Sequence, residues 1–482
     1  MIALLLLFPL PLVGILLIFR NRVVSNSALA VYASAHAILS VILLVHRGAL
    51  LPYFRADDVN VLFLALLSVV FAATTIYLVG QFSRTVPAGR EGHYSSFAAF
   101  LLLFVDSMNG ALLATHLGLL WVFLEASTLT SVVLVNFDGT RRSLEAAWKY
   151  VFICSIGISL AFIGIILLGV ADLSNHSLFF GDLYRAAPRM SAFWLRLAFA
   201  FILVGFGTKM GLAPVHSWLP DAHSEGPSPV SALLSGALLN VALFGIIRVE
   251  GILVAAGNGP FARGLLLTMG FLSLFVSAVF ILGSTNYKRM LAYSSIEHMG
   301  IISIGLGVGG AGIFAGLLHM IGHSLTKSSF FLTAGNVHER SGSNEIESVQ
   351  SLLRRDRITA GLVIASFLAV SGMPPFSTFL SEILLLKALI AGRLILTMLF
   401  VVLAVVILYG MGSRALELSF RQSDPHDAAP PVEPVAHGSH APLSLWAYVP
   451  QIILLALAAL LGVVLPAKVV SLIHGAAALI GG

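Results

Sequence analysis

The chain has 482 residues and a formal net charge of +5; 58% of its residues are hydrophobic and only 10% are charged. Soluble domains carry about 25% charged residues, so this composition, with a mean hydropathy of +0.98, excludes a soluble globular protein and predicts an integral membrane protein. The single cysteine, Cys154, excludes an intrachain disulfide and an iron–sulfur cluster held by cysteines of this chain. We therefore predict no cofactor, and we assign the positive charge to membrane topology rather than to nucleic-acid binding.

Segments of about 20 apolar residues predict spanning helices, and the sequence shows no alternating strand pattern. The predicted fold is thus an all-helical membrane protein. No basic residue precedes the first apolar run, which predicts a retained helix rather than a signal peptide. The fourteen predicted helices cover residues 2–19, 28–46, 57–80, 95–114, 116–136, 145–170, 193–223, 228–250, 264–283, 289–309, 311–335, 358–393, 395–413 and 446–466.

The Lys and Arg residues in the predicted loops indicate an orientation. An even number of helices places both termini on one side, and the loops on the other side hold more basic residues, including Arg354, Arg355 and Arg357. Because basic residues accumulate in cytoplasmic loops, we predict that both termini lie outside. Residues 418–444 then form a cytoplasmic linker, since their Pro- and Ala-rich sequence cannot build a core. Its histidines fit no compact ligand set, so we predict no metal site: His426, His437 and His440.

Two long apolar segments, 193–223 and 358–393, are interrupted by glycine and proline. Proline inside a membrane helix removes a backbone hydrogen bond, and the freed carbonyl must find another partner. A matched pair of broken helices in two halves of a chain is typical of a transport site built from repeats. The residues that break them are Gly211 and Pro214 in the first segment and Gly372, Pro374 and Pro375 in the second.

Glu125 and Lys209 are the first candidate functional pair. Glu125 lies in the middle of LGLLWVFLEASTLTSVVLV, and Lys209 lies just before the first break in FILVGFGTKMGLAP. A charge inside a spanning helix costs roughly 2.5–3.5 kcal/mol even on insertion scales, so such residues indicate function. A Glu–Lys pair in a hydrated pocket could hold or release a proton as the separation of the two groups changes. The alternative is a static ion pair that fixes two helices together.

A second candidate is a stripe of titratable residues, His319, His323 and Lys327, in GLLHMIGHSLTKSSFF. Their i, i+4, i+8 spacing places them on one helix face over about 12 Å. Histidine titrates near neutral pH, which suits a proton relay. The alternative is that each histidine is a hydrogen-bonded core residue, but three titratable groups in register favour the relay.

Further intramembrane charged or titratable residues are candidates with less defined roles. Glu382 follows the second break much as Lys209 precedes the first, and Glu297 and His298 lie in LAYSSIEHMGIISIG. Asp106, in FLLLFVDSMNGALLA, is also predicted to be embedded in the membrane, and nothing nearby in the sequence indicates its role.

Four strings resemble the antiporter-like subunits of respiratory complex I, Mrp antiporters and energy-converting hydrogenases: LLWVFLEAS, KMGLAPVHSWLPDAHSEGPSPVSALLSG, NYKRMLAYSSIEHMG and HMIGHSLTKSSFFLTAG. The resemblance covers about residues 95–415. Within that superfamily, SLEAAWKYVFICSIG, AYSSIEHMG and LLNVALFGIIR are most similar to the hydrogenase-4 component F type.

The resemblance implies fourteen helices with two inverted five-helix repeats, over residues 95–250 and 264–413. Residues 1–94 would hold the first three helices, and residues 446–482 the last helix and a tail. The family's proton-transfer positions correspond to six residues here, which we call the relay residues: Glu125, Lys209, His319, His323, Lys327 and Glu382.

Asn240 marks a departure from many relatives, which have a lysine at this position. Asparagine cannot carry a proton at neutral pH. The link between the two halves must then run through water or histidine.

The resemblance implies a proton-translocating subunit of a membrane-bound oxidoreductase complex of the [NiFe] hydrogenase type, in the cytoplasmic membrane. Its partners would be other membrane subunits, including antiporter-like paralogues, a peripheral hydrogenase or oxidoreductase arm, and lipid. Two alternatives stay open: a cation/proton antiporter subunit in which Na⁺ replaces H⁺ on one path, and a structural membrane anchor with vestigial charges.

Overall fold

A computed structural model describes residues 1–46, 50–87, 89–172, 176–349, 351–421 and 443–481. Most of the predicted linker, including its three histidines, lies outside these residues. The helices in the described part are α1 Ile2–Leu7, α2 Pro9–Ile18, α3 Arg22–Val45, α4 Asp58–Tyr77, α5 Ser83–Thr85, α6 Glu91–Leu113, α7 Leu117–Val135, α8 Arg141–Ala171, α9 Phe180–Ala186, α10 Ala192–Met210, α11 Trp218–Glu225, α12 Ser228–Leu233, α13 Leu239–Ala255, α14 Gly259–Leu282, α15 Tyr287–Val308, α16 Ala311–Ser341, α17 Leu352–Arg355, α18 Arg357–Val370, α19 Ser377–Ile390, α20 Leu394–Phe420, α21 Val449–Val463 and α22 Ala467–Ala478.

Short elements complete the chain between these helices. A two-residue antiparallel hairpin, β1 (Leu50–Leu51) and β2 (Phe54–Arg55), joins α3 to α4. Two π-helical segments interrupt otherwise continuous helices, Leu78–Phe82 between α4 and α5 and Leu234–Leu238 between α12 and α13. The 3₁₀ turns are Ala187–Arg189, Ile346–Ser348 and Leu445–Ala447.

The described part of the chain has ten helices that are long and apolar enough to span a membrane, or eleven if α21 and α22, bent by 80°, count as one span. This confirms the predicted helical membrane protein, whereas the predicted number of fourteen spans is not confirmed by length and composition. The helices outside this count include α16, which is 31 residues long but rich in polar residues, and the shorter apolar helices α1–α2 and α18. The ten spans are α3, Asp58–Thr85, α6, α7, α8, α10, Ser228–Ala255, α14, α15 and α20.

Side-chain capping explains why several helices begin earlier than the hydrophobic pattern predicts. Thr140 accepts a 3.0 Å hydrogen bond from the Ser143 amide, so α8 begins at Arg141 rather than at 145. Asn286 caps α15 in the same way through the Arg289 amide. Such caps satisfy amides that have no partner inside the helix, and polar capping residues extend the helix beyond its apolar part.

Burial divides the helices into a polar centre and an apolar surface. The most apolar stretch of Ser228–Ala255 is entirely buried, and that of α15 is 94% buried, whereas that of α20 is only 33% buried. The centre of the chain therefore lies around α12, α13, α15 and α16. Three of these helices hold candidate residues: α13 holds Asn240, α15 holds His298, and α16 holds His319, His323 and Lys327.

Both predicted helix breaks are present, and they share one local structure. Gly211 ends α10 with a φ of 82°, and Gly372 follows α18 with a φ of 61°. In each break the next amide donates to the carbonyl five residues earlier, Leu212 to Gly207 and Met373 to Leu368. This is the Schellman pattern, in which glycine adopts the left-handed conformation that other residues disfavour. Pro214, Pro374 and Pro375 follow and prevent the helices from continuing.

Side chains add hydrogen bonds to a carbonyl at each break. Trp218 Nε1 donates to the Thr208 carbonyl over 2.7 Å, and Thr378 Oγ1 donates to the Ala369 carbonyl over 2.6 Å. Both breaks are therefore hydrogen-bonded within the protein, as backbone at membrane depth must be.

Candidate functional site

Lys209 occupies the last turn of α10, next to the first break, and its side chain is fully buried. Its Nζ donates hydrogen bonds of 2.7 Å to Thr128 Oγ1 on α7 and to Tyr150 OH on α8. The same ammonium lies 4.8 Å from the centroid of the Tyr150 ring. Two neutral hydroxyls and an aromatic face thus surround this amine.

Glu125 is connected to Lys209 through Thr128. Thr128 Oγ1 lies one helical turn from Glu125 and within 3.4 Å of its Oε2, while Ser155 Oγ donates to Oε1 over 2.7 Å. Thr128 rather than a direct contact joins the two relay residues, so the arrangement differs from a simple ion pair. We call Glu125, Thr128, Tyr150, Ser155 and Lys209 the lysine cluster.

The cluster is asymmetric in its exposure. Lys209 and Thr128 are fully buried, whereas Glu125 and Ser155 are partly exposed at the surface of the isolated chain. One end of the cluster therefore opens to the exterior of this subunit at membrane depth.

The predicted stripe on α16 faces His298 on α15, and all three histidines are buried. His298 Nδ1 and His319 Nε2 share a hydrogen bond of 2.7 Å, and their ring centroids are 4.9 Å apart. The His323 ring lies 5.0 Å from that of His298. None of the three points to lipid.

Hydrogen bonding fixes the direction of this series. Ser381 Oγ donates to the Thr378 carbonyl, so at its 2.9 Å contact with His319 Nδ1 it must accept. A neutral imidazole carries one proton, so His319 Nε2 accepts from His298 Nδ1. His298 Nε2 is then the lone-pair end of the series, and it is buried with no hydrogen-bond partner among the described residues. We call His298, His319, His323 and Ser381 the histidine cluster.

Glu382 and Glu297 lie where this series ends, on the second broken helix and on α15. Ser381 directly precedes Glu382, and the two glutamates line one small cavity between α15, α19 and α20. Ser294 Oγ donates to Glu297 Oε2 over 3.2 Å. A Cβ atom added to Gly372 would lie 2.4 Å from a carboxylate oxygen of Glu382, so the glycine lets the break pack against this carboxylate.

Lys327, the third residue of the stripe, donates to the Leu291 carbonyl over 2.9 Å and is fully buried. Its partner is a backbone oxygen rather than a carboxylate. His323 Nε2 lies 3.3 Å from the Ser235 carbonyl, in the π-helical segment that precedes α13. The π-helical segment thus brings an irregular part of the backbone against the stripe.

Asn240, the departure from the family pattern, contacts the helix that holds the stripe. Its Nδ2 donates to Ser324 Oγ over 2.7 Å, beside His323, while its Oδ1 is buried and accepts no hydrogen bond from the part of the chain that the structure describes. Gly236 permits this close approach, because a Cβ atom there would lie 2.0 Å from Ser328 Oγ.

Two sequence-predicted features are not brought together with the rest. Among the described residues, no hydrogen bond connects Lys209 or its two hydroxyl partners to the histidine cluster. Asp106 lies on α6 among the N-terminal helices, apart from both clusters.

The structure also shows polar residues that the sequence analysis missed. His223 on α11 is fully buried, its ring stacks on Phe331 at 4.7 Å, and within the described residues neither ring nitrogen has a hydrogen-bond partner. Its place in the longest resembling string was the signal that could have found it. The hydroxyls of Thr128, Tyr150 and Ser381 had no comparable signal, because neutral residues are common in apolar helices.

Asp356, outside the spanning helices, connects several elements at one end of the molecule. It caps α18 through the Thr359 amide, and it accepts hydrogen bonds from Tyr448 OH at 2.9 Å and Arg340 Nε at 3.3 Å. Burial disfavours the ionised carboxyl, but these donors outweigh it and lower the pKa of Asp356. The ionised side chain thus holds α16, α18 and the chain before α21 together.

Comparison with known proteins shows the family to which the chain belongs. Residues 114–407, well over half of its length, match the family described as "NADH:quinone oxidoreductase/Mrp antiporter, TM". The chain belongs to this family. The match includes all six relay residues and confirms the superfamily that the sequence motifs predicted.

One relative is the hydrogenase-4 component F homolog of Methylacidiphilum infernorum (isolate V4), 34% identical over 85% of this chain and 87% of the relative. Two solved structures share the fold. One is a chain of the archaeal membrane-bound sulfane sulfur reductase, with a TM-score of 0.87, 22% identity and coverage of 99% of this chain and 97% of that chain. The other belongs to the Mrp complex of Dietzia sp. DQ12-45-1b, with a TM-score of 0.83, 21% identity and coverage of 99% and 96%.

Proposed function

We propose that this antiporter-like subunit translocates protons within a multi-subunit oxidoreductase complex of the membrane-bound [NiFe] hydrogenase type. The observation that carries the proposal is the buried, oriented hydrogen-bond series His298–His319–Ser381, which ends beside Glu382 on the second broken helix. Electron transfer would take place in partner subunits, and this chain would move H⁺ in response.

The histidine cluster supports the proton-transfer step. A proton arriving at His298 Nε2 allows the ring to pass its Nδ1 proton to His319 Nε2, and His319 then gives its Nδ1 proton to Ser381 Oγ. The Ser381 hydroxyl turns away from the Thr378 carbonyl and passes its own proton on toward the carboxylates of Glu382 and Glu297. Each ring gains one proton and loses one, so no isolated charge has to persist in the apolar interior, where it would be costly. Glu382 and Glu297 are the acceptors at the end of this path.

The lysine cluster supports a second, gated step. Lys209 can give a proton to Glu125 through the Thr128 hydroxyl, or keep it while Tyr150 and Thr128 hold the ammonium. The break beside Lys209 can change the length of these contacts, because the last turn of α10 ends at a glycine rather than in a continuous helix. Conformational change in a partner would act at this point.

The two clusters need a connection across α13, where Asn240 cannot carry a proton. The buried Asn240 Oδ1 and the ring nitrogens of His223 require hydrogen-bond partners, and buried groups of this kind are commonly satisfied by ordered water. We assign the connection to water and His223, in line with the sequence prediction.

The same proposal extends to the architecture. Counting α1–α2, α16, α18–α19 and α21 together with the ten apolar spans gives fourteen. The shared Schellman breaks support inverted repeats over residues 95–250 and 264–413. Both termini would face the outside of the cytoplasmic membrane, and the exposed apolar helix faces would contact lipid, antiporter-like paralogues and other membrane subunits next to a peripheral oxidoreductase arm.

The alternative function is a Na⁺/H⁺ antiporter subunit, which the fold shared with a chain of the Mrp complex favours. Mass spectrometry of the subunits that co-purify with this chain separates the two. A [NiFe] hydrogenase large subunit supports our proposal, whereas a set of small membrane subunits without redox proteins supports the alternative.

Glu125→Gln tests the proton-transfer role in membrane vesicles that contain the assembled complex. The variant keeps the shape of the side chain and loses its titration, so H⁺ movement per electron should fall to roughly a tenth or less, given that positioned acid–base groups contribute about 10²–10⁴-fold. The matched control is Glu145→Gln on the exposed face of α8, with 65% of its side chain exposed, which should have no effect. Unchanged proton movement in an assembled Glu125→Gln complex would reject the role.

A further inference from the structure

A third group of polar residues lies among the N-terminal helices, outside the segment that matches the family. Tyr32, His36 and Ser40 follow one another at i, i+4 and i+8 on α3, the same spacing as the stripe on α16. Asp106 and Asn109, three residues apart on α6, share one face of that helix. We call these five residues the N-terminal polar cluster.

Hydrogen bonds order this cluster. His36 Nε2 donates to Asn109 Oδ1 over 2.9 Å, Asn109 Nδ2 donates to Tyr32 OH over 3.0 Å, and Ser40 Oγ lies 3.5 Å from His36 Nδ1. His36 and Asn109 are fully buried, and Tyr32 is 1% exposed. A buried polar network of this kind in an apolar bundle needs a reason, because apolar residues of the same shape would pack at less cost.

Asp106 is the incomplete member of the cluster. The residue is partly exposed, but its Oδ1 is buried and has no hydrogen-bond partner among the described residues. An ionised carboxylate with a buried, unpaired oxygen is costly at membrane depth. Something that removes or compensates the charge should therefore occupy this position.

The other groups around α6 do not supply that compensation. The helices α1 and α2, which pack on α6, hold no titratable side chain, and the titratable residues that α3 contributes to the cluster are Tyr32 and His36. The remaining titratable or charged groups on elements packed against α6 make no described hydrogen bond or ion pair with Asp106: Arg22, Arg55, Asp58, Tyr77, Glu125, Arg248 and Glu250.

We propose that the N-terminal polar cluster is a proton-binding site of its own, with Asp106 as the group that takes up the proton. The donor set argues against a metal cation. Asn109 Oδ1 and Tyr32 OH already accept hydrogen bonds inside the cluster, whereas hard cations such as Ca²⁺ require six or more oxygen ligands. The site lies outside the family match, which begins at residue 114 and includes the relay residues.

The depth of the site in the membrane matches that of Glu125 in the lysine cluster. α6 and α7 are consecutive antiparallel helices joined by three residues, and they pack along their length. Asp106 lies seven residues before the end of α6 and Glu125 lies eight residues after the start of α7, so both lie about 10–12 Å from the turn. A proton bound at Asp106 thus lies at the same membrane depth as Glu125.

Dicyclohexylcarbodiimide, which modifies protonated carboxyl groups in apolar surroundings, tests the proposal on the assembled complex in membranes. Peptide mass mapping should find the label on Asp106 at mildly acidic pH, with less label as pH rises and no protection by added Na⁺ or Ca²⁺. Glu91, at the exposed start of the same helix, is the control carboxyl and should not be labelled. Protection of Asp106 by a cation would overturn the proposal in favour of a cation site.

Infrared spectroscopy covers the case in which the reagent cannot reach the site. A protonated carboxyl gives a C=O band that titrates with pH, and Asp106→Asn should remove one such band, whereas Glu91→Gln should not. Asp106 that remains unlabelled, together with an infrared titration that Asp106→Asn leaves unchanged, would overturn the proposal. Neither measurement depends on whether the relay residues translocate protons.

Discussion

The two broken helices share the backbone structure of their breaks, but the titratable side chains beside the breaks differ in charge type. Each ends with a left-handed glycine and a Schellman hydrogen bond, but the first carries an ammonium, Lys209, before the break, and the second carries a carboxyl, Glu382, after it. Lys209 is held by neutral hydroxyls and is one hydroxyl away from a partly exposed glutamate. Glu382 lies instead at the end of a buried histidine series.

This difference teaches that one kind of backbone break can serve two tasks. When the helix moves, the break beside Lys209 can change the two hydrogen bonds that hold the ammonium, and so change the affinity of the amine for its proton. At the second break, Glu382 can receive a proton that arrives through the oriented hydrogen bonds of the histidine cluster. We infer that the lysine cluster controls proton transfer and that the histidine cluster conducts protons.

Substitution of His319 should have a larger effect than the substitutions at Gly372 and Asp356, and it tests the second half of the comparison. Gln replaces a ring that passes protons between two nitrogens with an amide that cannot do so at neutral pH, so we expect H⁺ movement per electron to fall about 100-fold. His338→Gln, at the end of the same helix and away from the cluster, is the control. Normal translocation with His319→Gln would show that the histidines only pack.

Gly372→Ala should have an intermediate effect and tests whether the second break needs its glycine geometry beside Glu382. The substitution places a Cβ atom 2.4 Å from the Glu382 carboxylate and requires a positive φ, so both the break and the carboxylate must move. We expect destabilisation of about 1 kcal/mol or more and a several-fold loss of translocation. Thermal unfolding in detergent and vesicle assays measure the two effects.

Gly361→Ala on α18 is the matched control for this variant, because nothing lies within 4 Å of the added atom and its φ is ordinary. It should be neutral or slightly stabilising, since alanine favours the helix. Equal effects of the two substitutions would show that Gly372 has no special place beside Glu382.

The smallest effect is expected at Asp356, which lies outside the membrane. Substitution of this residue tests the stability of the fold separately from proton translocation. Because the pKa of Asp356 is lowered in the folded protein, its ionised form stabilises the fold above the usual pKa of aspartate, and this contribution is lost as pH falls through the folded value. Asp356→Asn should lower the unfolding temperature near neutral pH, and the difference should shrink in acid. Glu347→Gln on the nearby 3₁₀ turn is the control, and a pH-independent difference for Asp356→Asn would contradict this explanation.

Much of the architecture could be predicted because membrane helices and breaks have strong sequence signals. Gly211 and Gly372 with their prolines marked both breaks, and Glu125, Lys209 and Glu382 were recognisable as charges in apolar segments. The helix α16 shows the limit of this logic. A helix buried inside the protein need not be apolar, so hydropathy alone does not count it as a span.

The contacts of the site could not be predicted to the same extent. Thr128 and Ser381 connect titratable groups only because α7 packs on α10 and α16 packs on α19, and nothing in a single helix indicates such neighbours. His298 was a candidate without a partner, and only the packing of α15 on α16 brings it to His319. Helix starts were misplaced where a polar cap such as Thr140 precedes the apolar run.

The central claim is that both clusters act in one proton path, and a double-variant cycle tests it most directly. H⁺ movement per electron is measured in vesicles for Lys209→Met, Glu382→Gln and the combined variant, with Lys149→Met on the exposed face of α8 as the control. A single path predicts that each substitution alone abolishes translocation and that the combination loses no more. Partial losses that add in the combined variant would contradict the account, because they would show two independent paths.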